Sequence, residues 1–226
     1  MASNDDQLDA LGRYALRYVK AGNTLGLGTG RAASAFIRAL GASGLHVRGV
    51  PTSRASEELG RAVGLLVVTP AEAGTIDIDF DGADEVDPRL NLLKGYGGAL
   101  VREKIVAASA RKFIVLVGEE KLVPKLGRRG SLPVEVVPFV APLAIDRIKA
   151  LGLRPKVRQK DADVFVTDNG NVILDCAVNE IANPARLDRE LLAIPGVVGT
   201  GLFIGLANTV LIAGSPGKIT VRNRSR

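Results

Sequence analysis

The chain has 226 residues, 46% of them hydrophobic, so it can bury the core of one large domain or of a large and a small one. No apolar run reaches the roughly 18 residues of a membrane-spanning helix, and residues 1–7 are too polar and acidic for a signal peptide, so we expect a cytoplasmic protein without a membrane partner. The single Cys176 and the single His46 exclude an intramolecular disulfide and a Cys/His zinc cluster, and an anionic small-molecule substrate explains the net charge of +6 as well as nucleic acid does.

The first predicted element is a helix with acidic residues in its first turn and with Gly22 after its last apolar position. Its apolar residues recur at helical spacing: Leu8, Leu11, Ala15 and Val19. Residues 24–27 then form a predicted strand, residues 28–30 a glycine turn, and the residues up to Leu40 a second helix. This succession begins an α/β unit.

Strands and helices continue to alternate along the first half of the chain. The predicted strands are 46–50, 65–68, 76–80 and 113–117, and the predicted helices are 53–63 and 100–110. Such alternation predicts a Rossmann-like parallel sheet covered by helices, with ligands at the carboxyl ends of the strands. We assign residues 1–129 to this catalytic domain, together with residues 206–226, where the predicted strands 208–213 and 219–221 return to it.

The pattern changes after the glycine- and arginine-rich residues 127–130, and we assign residues 130–205 to a smaller domain. Its predicted elements are strand 134–137, helix 141–151, strands 163–167 and 172–176, helix 185–193 and strand 197–203. This order is typical of the ferredoxin-like α+β fold. Between the two central strands, Asn169-Gly170 supplies the positive φ angles of a tight turn, so we expect a hairpin there.

Basic residues form two groups in the second half of the chain. They are Arg154, Lys156, Arg158 and Lys160, and Lys218, Arg222, Arg224 and Arg226. The first group alternates as on one face of a strand, without the interleaved aromatic residues of a single-strand binder, and the second is interpreted as a solvated end. We therefore expect no nucleic-acid partner.

The glycine-rich segment 26–30 lies between a predicted strand and a predicted helix. Its bare N–H groups and the helix N-terminus either face an anion or serve only a tight turn, and both interpretations stay open. The segment is neither a Walker loop nor a G-x-G-x-x-G motif, since Ala33 stands where the last glycine would be. The next strand end, residues 50–54, also lacks the acid that a dinucleotide site needs, which disfavours a nicotinamide cofactor.

An acid-rich segment runs off the end of the strand predicted at residues 76–80. Its acids are Asp77, Asp79, Asp81, Asp84, Glu85 and Asp87. It leads into Lys94, a glycine-rich turn and a helix with Glu103 in its first turns. Carboxylates, a lysine and a backbone-rich turn that converge on one cleft suit acid/base chemistry on a polar substrate. The alternative, a solvated acidic surface around the turn at Asp87-Pro88, stays open at this point.

Residues 81–104 read Asp-Gly-Ala-Asp-Glu-Val-Asp-Pro-Arg-Leu-Asn-Leu-Leu-Lys-Gly-Tyr-Gly-Gly-Ala-Leu-Val-Arg-Glu-Lys, which resembles the motif of A-type ribose-5-phosphate isomerases. Further motifs follow in the family's order over nearly the whole chain: residues 26–30, 51–53, 120–123, 132–136, 167–171 and 194–198. The resemblance implies an aldose-ketose isomerase of the non-oxidative pentose phosphate pathway, which converts D-ribose 5-phosphate to D-ribulose 5-phosphate. It also implies no metal, no cofactor, and a homodimer or homotetramer.

The resemblance also implies roles for four catalytic residues. The glutamate that matches Glu103 is the general base, which moves a proton between neighbouring carbons through an enediolate. The match to Asp81 handles hydroxyl protons, including those of ring opening, and the match to Asp84 orients the substrate. The match to Lys94 stabilises the developing oxyanion.

For the phosphate, the family uses the Gly-Thr-Gly loop and a lysine that matches Lys121. The candidate substrate-binding residues are Gly28, Thr29, Gly30, Arg31, Ala32, Gly82, Ala83, Gly95, Tyr96, Gly97 and Lys121. The chain departs from the family at Arg31-Ala32, where Ser-Thr is common, so Arg31 either grips the phosphate or faces solvent at the start of a helix. Tyr96 replaces a small residue, and it either walls the pocket or packs.

Four other functions compete with the isomerase. An amino-sugar phosphate deaminase or a phosphogluconolactonase normally recruits a histidine, and His46 is badly placed for that role. A non-catalytic sugar-phosphate sensor has no need of a base such as Glu103. A dehydrogenase would be revealed by binding of a nicotinamide cofactor.

Overall fold

The structure is a computed structural model that describes residues 4–214 and 217–224. Its α-helices are α1 (Asn4–Ala15), α2 (Arg31–Ala42), α3 (Arg54–Ala62), α4 (Pro70–Ala73), α5 (Leu100–Ser109), α6 (Ala141–Ala150) and α7 (Pro184–Leu192). Its strands are β1 (Thr24–Leu27), β2 (Arg48–Pro51), β3 (Leu66–Val67), β4 (Ile76–Gly82), β5 (Glu85–Val86), β6 (Leu92–Leu93), β7 (Ala110–Gly118), β8 (Ser131–Val136), β9 (Arg154–Val157), β10 (Gln159–Lys160), β11 (Asp163–Val164), β12 (Val172–Ala177), β13 (Val197–Thr200), β14 (Leu202–Phe203), β15 (Thr209–Ala213) and β16 (Ile219–Asn223). Short 3₁₀ helices cover Leu16–Tyr18, Glu119–Lys121 and Pro138–Val140.

The chain divides into two compact units, each made of more than one segment. The first consists of Met1–Ala83, Arg102–Leu122 and Leu206–Arg226, and the second of Asp84–Val101 and Val123–Gly205. The chain passes from the second unit to the first within α5. The domain boundary that the sequence predicts at residue 130 stays a prediction.

The first unit contains a seven-stranded sheet in the order β16-β15-β7-β4-β1-β2-β3. All neighbouring pairs are parallel except β15 and β16. From β1 the chain adds β2 and β3 on one side and then β4, β7 and β15 on the other, so the strand order reverses between β1 and β4. The carboxyl ends of strands at such a reversal are where α/β sheets bind ligands. The predicted Rossmann-like sheet is confirmed.

Helices α1 and α2 bury their apolar faces in the core of this unit. The residues that predicted the opening helix pack there, and all four are buried: Leu8, Leu11, Ala15 and Val19. The ring of Phe36 from α2 stacks on that of Phe80 from β4, with centroids 4.1 Å apart. The capping box of α3, in which Ser53 accepts a hydrogen bond from the Ser56 amide, fixes where the predicted helix after β2 begins.

The second unit contains a four-stranded antiparallel sheet in the order β13-β8-β12-β9. With α6 after β8 and α7 after β12, this order is that of the predicted ferredoxin-like fold. One face of the sheet packs against α6 and α7, and its buried residues include Cys176, whose burial raises the pKa of the thiol to about 12. A three-stranded sheet, β14-β6-β5, completes the unit.

The prediction of residues 163–167 as the second strand of this fold is wrong. That position in the sheet belongs to β9, which pairs with β12, whereas β11 forms a small hairpin with β10. Strand β9 reads Arg-Pro-Lys-Val, and charged residues and proline are tolerated because it is an edge strand. The sequence pattern indicated a strand face among the basic residues 154–160, but the predicted ferredoxin-like order left them out. Val164 and Val166, in the strand that was predicted instead, are 49% and 58% exposed.

The predicted hairpin before β12 is reduced to one bridge between Val166 and Val172 and a tight turn. The Gly170 amide donates to the carbonyl oxygen of Thr167, and Gly170 has a φ of 79°. Asn169 keeps a negative φ, so only the glycine supplies the left-handed conformation that the sequence predicted for the pair.

The strand predicted at residues 197–203 is also divided. Its first part, β13, pairs with β8, and its second part, β14, pairs with β6 in the other sheet. Gly201 lies between them, and a Cβ atom there would come within 2.4 Å of the Lys94 carbonyl oxygen. Glycine therefore allows the chain to change sheets at this point.

The position of His46 and the lengths of the helices bear on two further expectations from the sequence. His46 is exposed and lies just before β2, as expected of a histidine without a catalytic role. Within residues 4–214 and 217–224, no helix combines the length and the apolar character needed to cross a membrane.

Candidate active site

Asp81 lies at the carboxyl end of β4, at the reversal of strand order in the first unit. Its side chain is fully buried, and its Oδ1 atom accepts hydrogen bonds from the amides of Thr29, at 3.0 Å, and Gly82, at 2.7 Å. Two backbone donors from neighbouring strand ends thus hold one carboxylate oxygen. The structure therefore brings together three of the predicted site residues.

The glycines of β1 and of the loop after it make room for carboxylates from β4. A Cβ atom on Gly28 would lie 2.3 Å from Asp81 Oδ1 and 2.6 Å from Asp81 Cα. A Cβ atom on Gly26 would lie 2.2 Å from Asp79 Oδ1, because Gly26 and Asp79 face each other in the sheet. Gly26 and Gly28 therefore leave the space that Asp79 and Asp81 of the neighbouring strand occupy. The sequence analysis, which considered an anion site or a tight turn, did not predict this close-packing role.

The hydroxyl of Thr29 links the glycine loop to the end of β2. Its Oγ1 atom lies 2.8 Å from Thr52 Oγ1 and donates to Ser53 Oγ at 2.8 Å. Thr52 and Ser53 are buried, and the sequence analysis did not include them among the candidate site residues. The motif Pro51-Thr52-Ser53 at the opening of a helix was the signal that could have identified them.

Gly30, Arg31 and Ala32 begin α2. Gly30 has a φ of 101° and is its N-cap, which glycine permits. The guanidinium of Arg31 donates to Asp5 Oδ1 at 2.5 Å while remaining 65% exposed, and this hydrogen bond and the charge of Asp5 raise the pKa of Arg31. Arg31 thus starts the helix and pairs with α1, while Ala32 lies 4.0 Å from the point where a Gly82 Cβ would stand.

Glu103 lies in the first turn of α5 and is 4% exposed. Val106, one turn later on the same helix face, lies 2.7 Å from the Cβ position of Gly26. Since a helix between parallel strands runs back along the sheet, Glu103 is one turn nearer than Val106 to the edge that carries Gly28 and Asp81. Its burial makes a role as a solvated surface acid untenable.

Lys121 ends the 3₁₀ helix that follows β7, the strand next to β4. It is half-buried at the same carboxyl edge of the sheet as the end of β4. Ala83, half-buried after β4, is the last residue of this segment of the first unit.

Asp84 belongs to the second unit, where it is half-buried. Its amide donates to the carbonyl oxygen of Leu93 at 2.9 Å, and its Oδ2 atom accepts from the Tyr96 amide at 3.1 Å. The carboxylate of Asp84 is therefore held by the backbone of the glycine-rich turn at residues 95–98.

Lys94 follows β6 and is 3% exposed. Its amide donates to the Gly201 carbonyl oxygen at 2.8 Å, which fixes the backbone. Its ammonium nitrogen lies 5.6 Å from the centroid of the Phe203 ring, within the range of a cation–π interaction. A lysine buried to this extent departs from the normal surface position of that residue type.

Gly95, Tyr96 and Gly97 form a turn that the Gly98 amide closes on the Gly95 carbonyl oxygen at 3.0 Å. The Tyr96 hydroxyl donates to the Ser131 carbonyl oxygen at 3.2 Å, and its side chain is 38% exposed. Burial, and after it the negative charges of Glu85 and Asp84, raise the pKa of Tyr96 to about 12, so the hydroxyl remains a donor. Tyr96 thus packs on β8.

Across residues 4–214 and 217–224 no cluster of three or more His, Cys, Asp and Glu side chains has an arrangement that could hold a metal ion.

Comparison with known proteins adds a family to this geometry. Residues 48–217 match the family model described as ribose 5-phosphate isomerase A (phosphoriboisomerase A). The chain belongs to the ribose 5-phosphate isomerase A family. Members of this family interconvert ribose 5-phosphate and ribulose 5-phosphate, so the chain is an aldose-ketose isomerase of the pentose phosphate pathway.

Individual relatives agree with the family assignment. Ribose-5-phosphate isomerase A of Roseiflexus sp. (strain RS-1) is 48% identical over 210 residues, which are 90% of each chain. The solved structure of the enzyme from Methanocaldococcus jannaschii is 39% identical, with a TM-score of 0.92 over 98% of this chain and 100% of that one. A D-ribose-5-phosphate isomerase solved in complex with phospho-erythronic acid is 33% identical, with a TM-score of 0.94 over 99% and 100%.

Proposed function

We propose that Glu103 is the general base of the isomerisation and that Asp81, Asp84 and Lys94 assist it. Glu103 removes the proton from C2 of the open-chain aldose, the electron pair forms the C1–C2 double bond, and the carbonyl oxygen on C1 becomes an oxyanion. The same glutamate returns the proton to C1, and the proton on the C2 hydroxyl moves to the C1 oxygen. The observation that carries this proposal is the buried carboxylate of Glu103 in the first turn of α5.

Asp81 is proposed to move the hydroxyl protons, including the one released when the sugar ring opens. Its Oδ1 atom is held by two amides, so the carboxylate has a fixed position, which proton transfer to a bound hydroxyl requires. The strand reversal beside it supports this role, because α/β sheets bind ligands at that point.

Lys94 is proposed to stabilise the enediolate oxyanion, and Asp84 to orient the sugar. A buried ammonium is a strong stabiliser of developing negative charge, because it acts in a medium of low dielectric and needs no rearrangement during the reaction. The hydrogen bond from the Tyr96 amide to Asp84 holds that carboxylate in one orientation.

The phosphate is proposed to bind at the Gly28-Thr29-Gly30 loop and Lys121, with the other sequence-predicted binding residues around the substrate. The N-terminus of α2 supports this part of the proposal, since its amides and dipole favour an anion. Arg31 already pairs with Asp5, so a contact with phosphate requires this exposed ion pair to open, and solvent screens such a pair. The relative solved with phospho-erythronic acid is consistent with a phosphorylated open-chain ligand.

The test of the base is the turnover of ribose 5-phosphate by the parent and by Glu103→Gln. Glutamine keeps the size of the side chain but cannot accept the C2 proton, so we expect kcat to fall by at least about a hundredfold. Glu58→Gln, an exposed residue of α3, is the matched control and is expected to keep the parent's kcat. Circular dichroism establishes that the three proteins are equally folded.

The exchange of solvent deuterium into C2 of the substrate gives a second reading of the same step. The parent is expected to incorporate deuterium, because the base exchanges the abstracted proton with the solvent and returns deuterium to C2 when the enediolate reverts to the aldose. Full activity or full exchange in Glu103→Gln would show that another group is the base.

The assembly and the location are proposed more briefly. We propose a homodimer or a homotetramer that takes a small sugar phosphate as its substrate, in line with what the sequence resemblance implies. No nucleic-acid partner is proposed, in line with the arrangement of the basic residues. The cytoplasmic location stays a prediction.

A further inference from the structure

Arg158 follows β9 in the second unit and uses all three guanidinium nitrogens in hydrogen bonds. Its Nε and Nη2 atoms donate to the two carboxylate oxygens of Asp175, at 2.8 and 2.6 Å. Its Nη1 atom donates to the carbonyl oxygens of Gly95, at 2.9 Å, and Tyr96, at 3.0 Å. The side chain is 13% exposed, so Arg158 is largely buried, unlike Arg154, Lys156 and Lys160, with which the sequence pattern grouped it on one face of a strand.

The contacts of Arg158 close into a ring of hydrogen bonds. The Ser131 hydroxyl donates to Asp175 Oδ1 at 3.3 Å, and the Ser131 carbonyl oxygen accepts from the Tyr96 hydroxyl. The Tyr96 carbonyl oxygen accepts from Arg158, and the Tyr96 amide donates to Asp84. The ring is therefore connected, through the Tyr96 amide, to Asp84, which the proposed mechanism uses.

Phe165 holds the same turn from another side. Its ring centroid lies 5.8 Å from Arg158 Cζ, and its amide donates to the Arg158 carbonyl oxygen. A Cβ atom on Gly98 would lie 2.4 Å from this ring, so the turn packs directly on the phenylalanine.

The turn needs such support because its composition makes it flexible. Gly95 and Gly98 have φ angles of 105° and 86°, and glycines lose more conformational entropy than other residues when they are fixed. The residue before the turn is Lys94, whose ammonium must be held close to its final position to stabilise an oxyanion. An arginine whose Nε and Nη2 atoms are held by a carboxylate is suited to fixing two carbonyl oxygens with its Nη1 atom, because the planar fork directs its N–H groups at fixed angles.

We infer that Arg158 is a positioning residue of the isomerisation. Anchored on Asp175, it fixes the carbonyl oxygens of Gly95 and Tyr96 and thereby sets the positions of Lys94 and Asp84. This inference rests on the proposed function of those two residues, and Arg158 itself does not act on the substrate. Lysine cannot replace it, because a single ammonium cannot reach the carboxylate and both carbonyl oxygens in the same geometry.

The experiment measures kcat and KM for ribose 5-phosphate in the parent, Arg158→Ala and Arg158→Lys. We expect kcat to fall by about a hundredfold in Arg158→Ala and by a smaller factor in Arg158→Lys, with little change in KM. Millimolar guanidinium chloride is expected to restore much of the kcat of Arg158→Ala, because the free cation fits the space between Asp175 and the two carbonyl oxygens. It is expected to leave the kcat of the parent and of Arg158→Lys unchanged.

Arg154→Ala is the matched control, since Arg154 is an exposed arginine of β9. It is expected to keep the parent's kcat and to show no response to guanidinium. A merely structural arginine would lower the midpoint of urea unfolding without lowering the kcat of the folded molecules, and that result would overturn the inference. A loss of kcat that guanidinium leaves uncorrected, in a folded protein, would overturn it as well.

Hydrogen exchange separates this inference from the proposed function. In Arg158→Ala the amides of residues 95–98 are expected to exchange faster than in the parent, and this readout needs no activity. A folded parent without turnover would overturn the proposed function alone. Unchanged exchange in the turn, in either Arg158 variant, would overturn the positioning role alone, and Arg158→Lys keeps the test available if Arg158→Ala does not fold.

Discussion

Gly28 and Asp81 illustrate how two residues distant in the chain constrain each other. The carboxylate of Asp81 occupies the space that any side chain at position 28 would need, and Asp81 Cα is also within 2.6 Å of that Cβ position. A strand end that carries a buried acid therefore requires a glycine on its neighbour.

Gly28→Ala is expected to destabilise the protein by about 1–3 kcal/mol, because the added methyl overlaps Asp81 and forces the backbone apart. Urea unfolding followed by circular dichroism measures the change. Gly82→Ala is the control, since the nearest heavy atom to its added Cβ is 3.8 Å away. Its free energy of unfolding should stay within about 0.5 kcal/mol of the parent's, and an equal loss in both variants would contradict the steric explanation.

At the scale of elements, the turn before β12 depends on a buried carboxylate rather than on strand pairing. Glu135, fully buried in β8, accepts hydrogen bonds from the Thr167 hydroxyl at 3.0 Å and from the side-chain amides of Asn169 and Asn171, at 3.1 and 2.9 Å. Three side chains of one turn thus converge on a single oxygen of the sheet. A short bridge between Val166 and Val172 could not fix the turn alone.

Glu135→Ala is expected to cost about 1–3 kcal/mol, because the buried hydroxyl of Thr167 loses its partner. Hydrogen exchange should show faster exchange of the Thr167 and Gly170 amides and little change inside β12. Glu190→Ala removes a half-buried carboxylate that pairs with the exposed Arg186 on the same helix, and it should leave both stability and exchange near the parent's. Unaltered protection of the turn in Glu135→Ala would contradict the role of Glu135.

At the scale of the whole molecule, the charge of +6 is compatible with a negatively charged substrate. The proposed homo-oligomer is the other property at this scale, and closed symmetric assemblies of one chain are the commonest kind. Light scattering on the purified protein should give a mass of two or four chains of 23.7 kDa. A mass of one chain across the concentrations used for the activity assay would contradict the proposal.

The sequence predicted much of the first unit because its signals are local. Alternating strands and helices, the start of a helix near Ser53 and the glycine after β1 each depend on residues a few positions apart. The motif around Asp81 and Glu103 was likewise visible in one continuous stretch, and it indicated the family before any geometry was known.

Prediction from the sequence failed where the role of a strand or a side chain depends on a neighbour that is distant in the chain. Strand β9 is charged and contains a proline, and only its place at the sheet edge, next to β12, explains it. In the sequence, Arg158 resembles its basic neighbours on one face of a strand. In the structure, it is surrounded by Asp175 and the carbonyl oxygens of Gly95 and Tyr96. Periodicity reports which face a side chain occupies, but it carries no information on what covers that face.

By itself, the sequence determined the fold class, the order of the strands and of the longer helices in the first unit, and the family to which the chain belongs. Tertiary structure alone decided that β9 rather than residues 163–167 completes the small sheet, that Arg31 pairs with Asp5, and that Arg158 holds the turn after Lys94. The physical reason is that local patterns follow from backbone geometry within a few residues, whereas strand pairing and ion pairing depend on which distant segments the folded chain brings into contact.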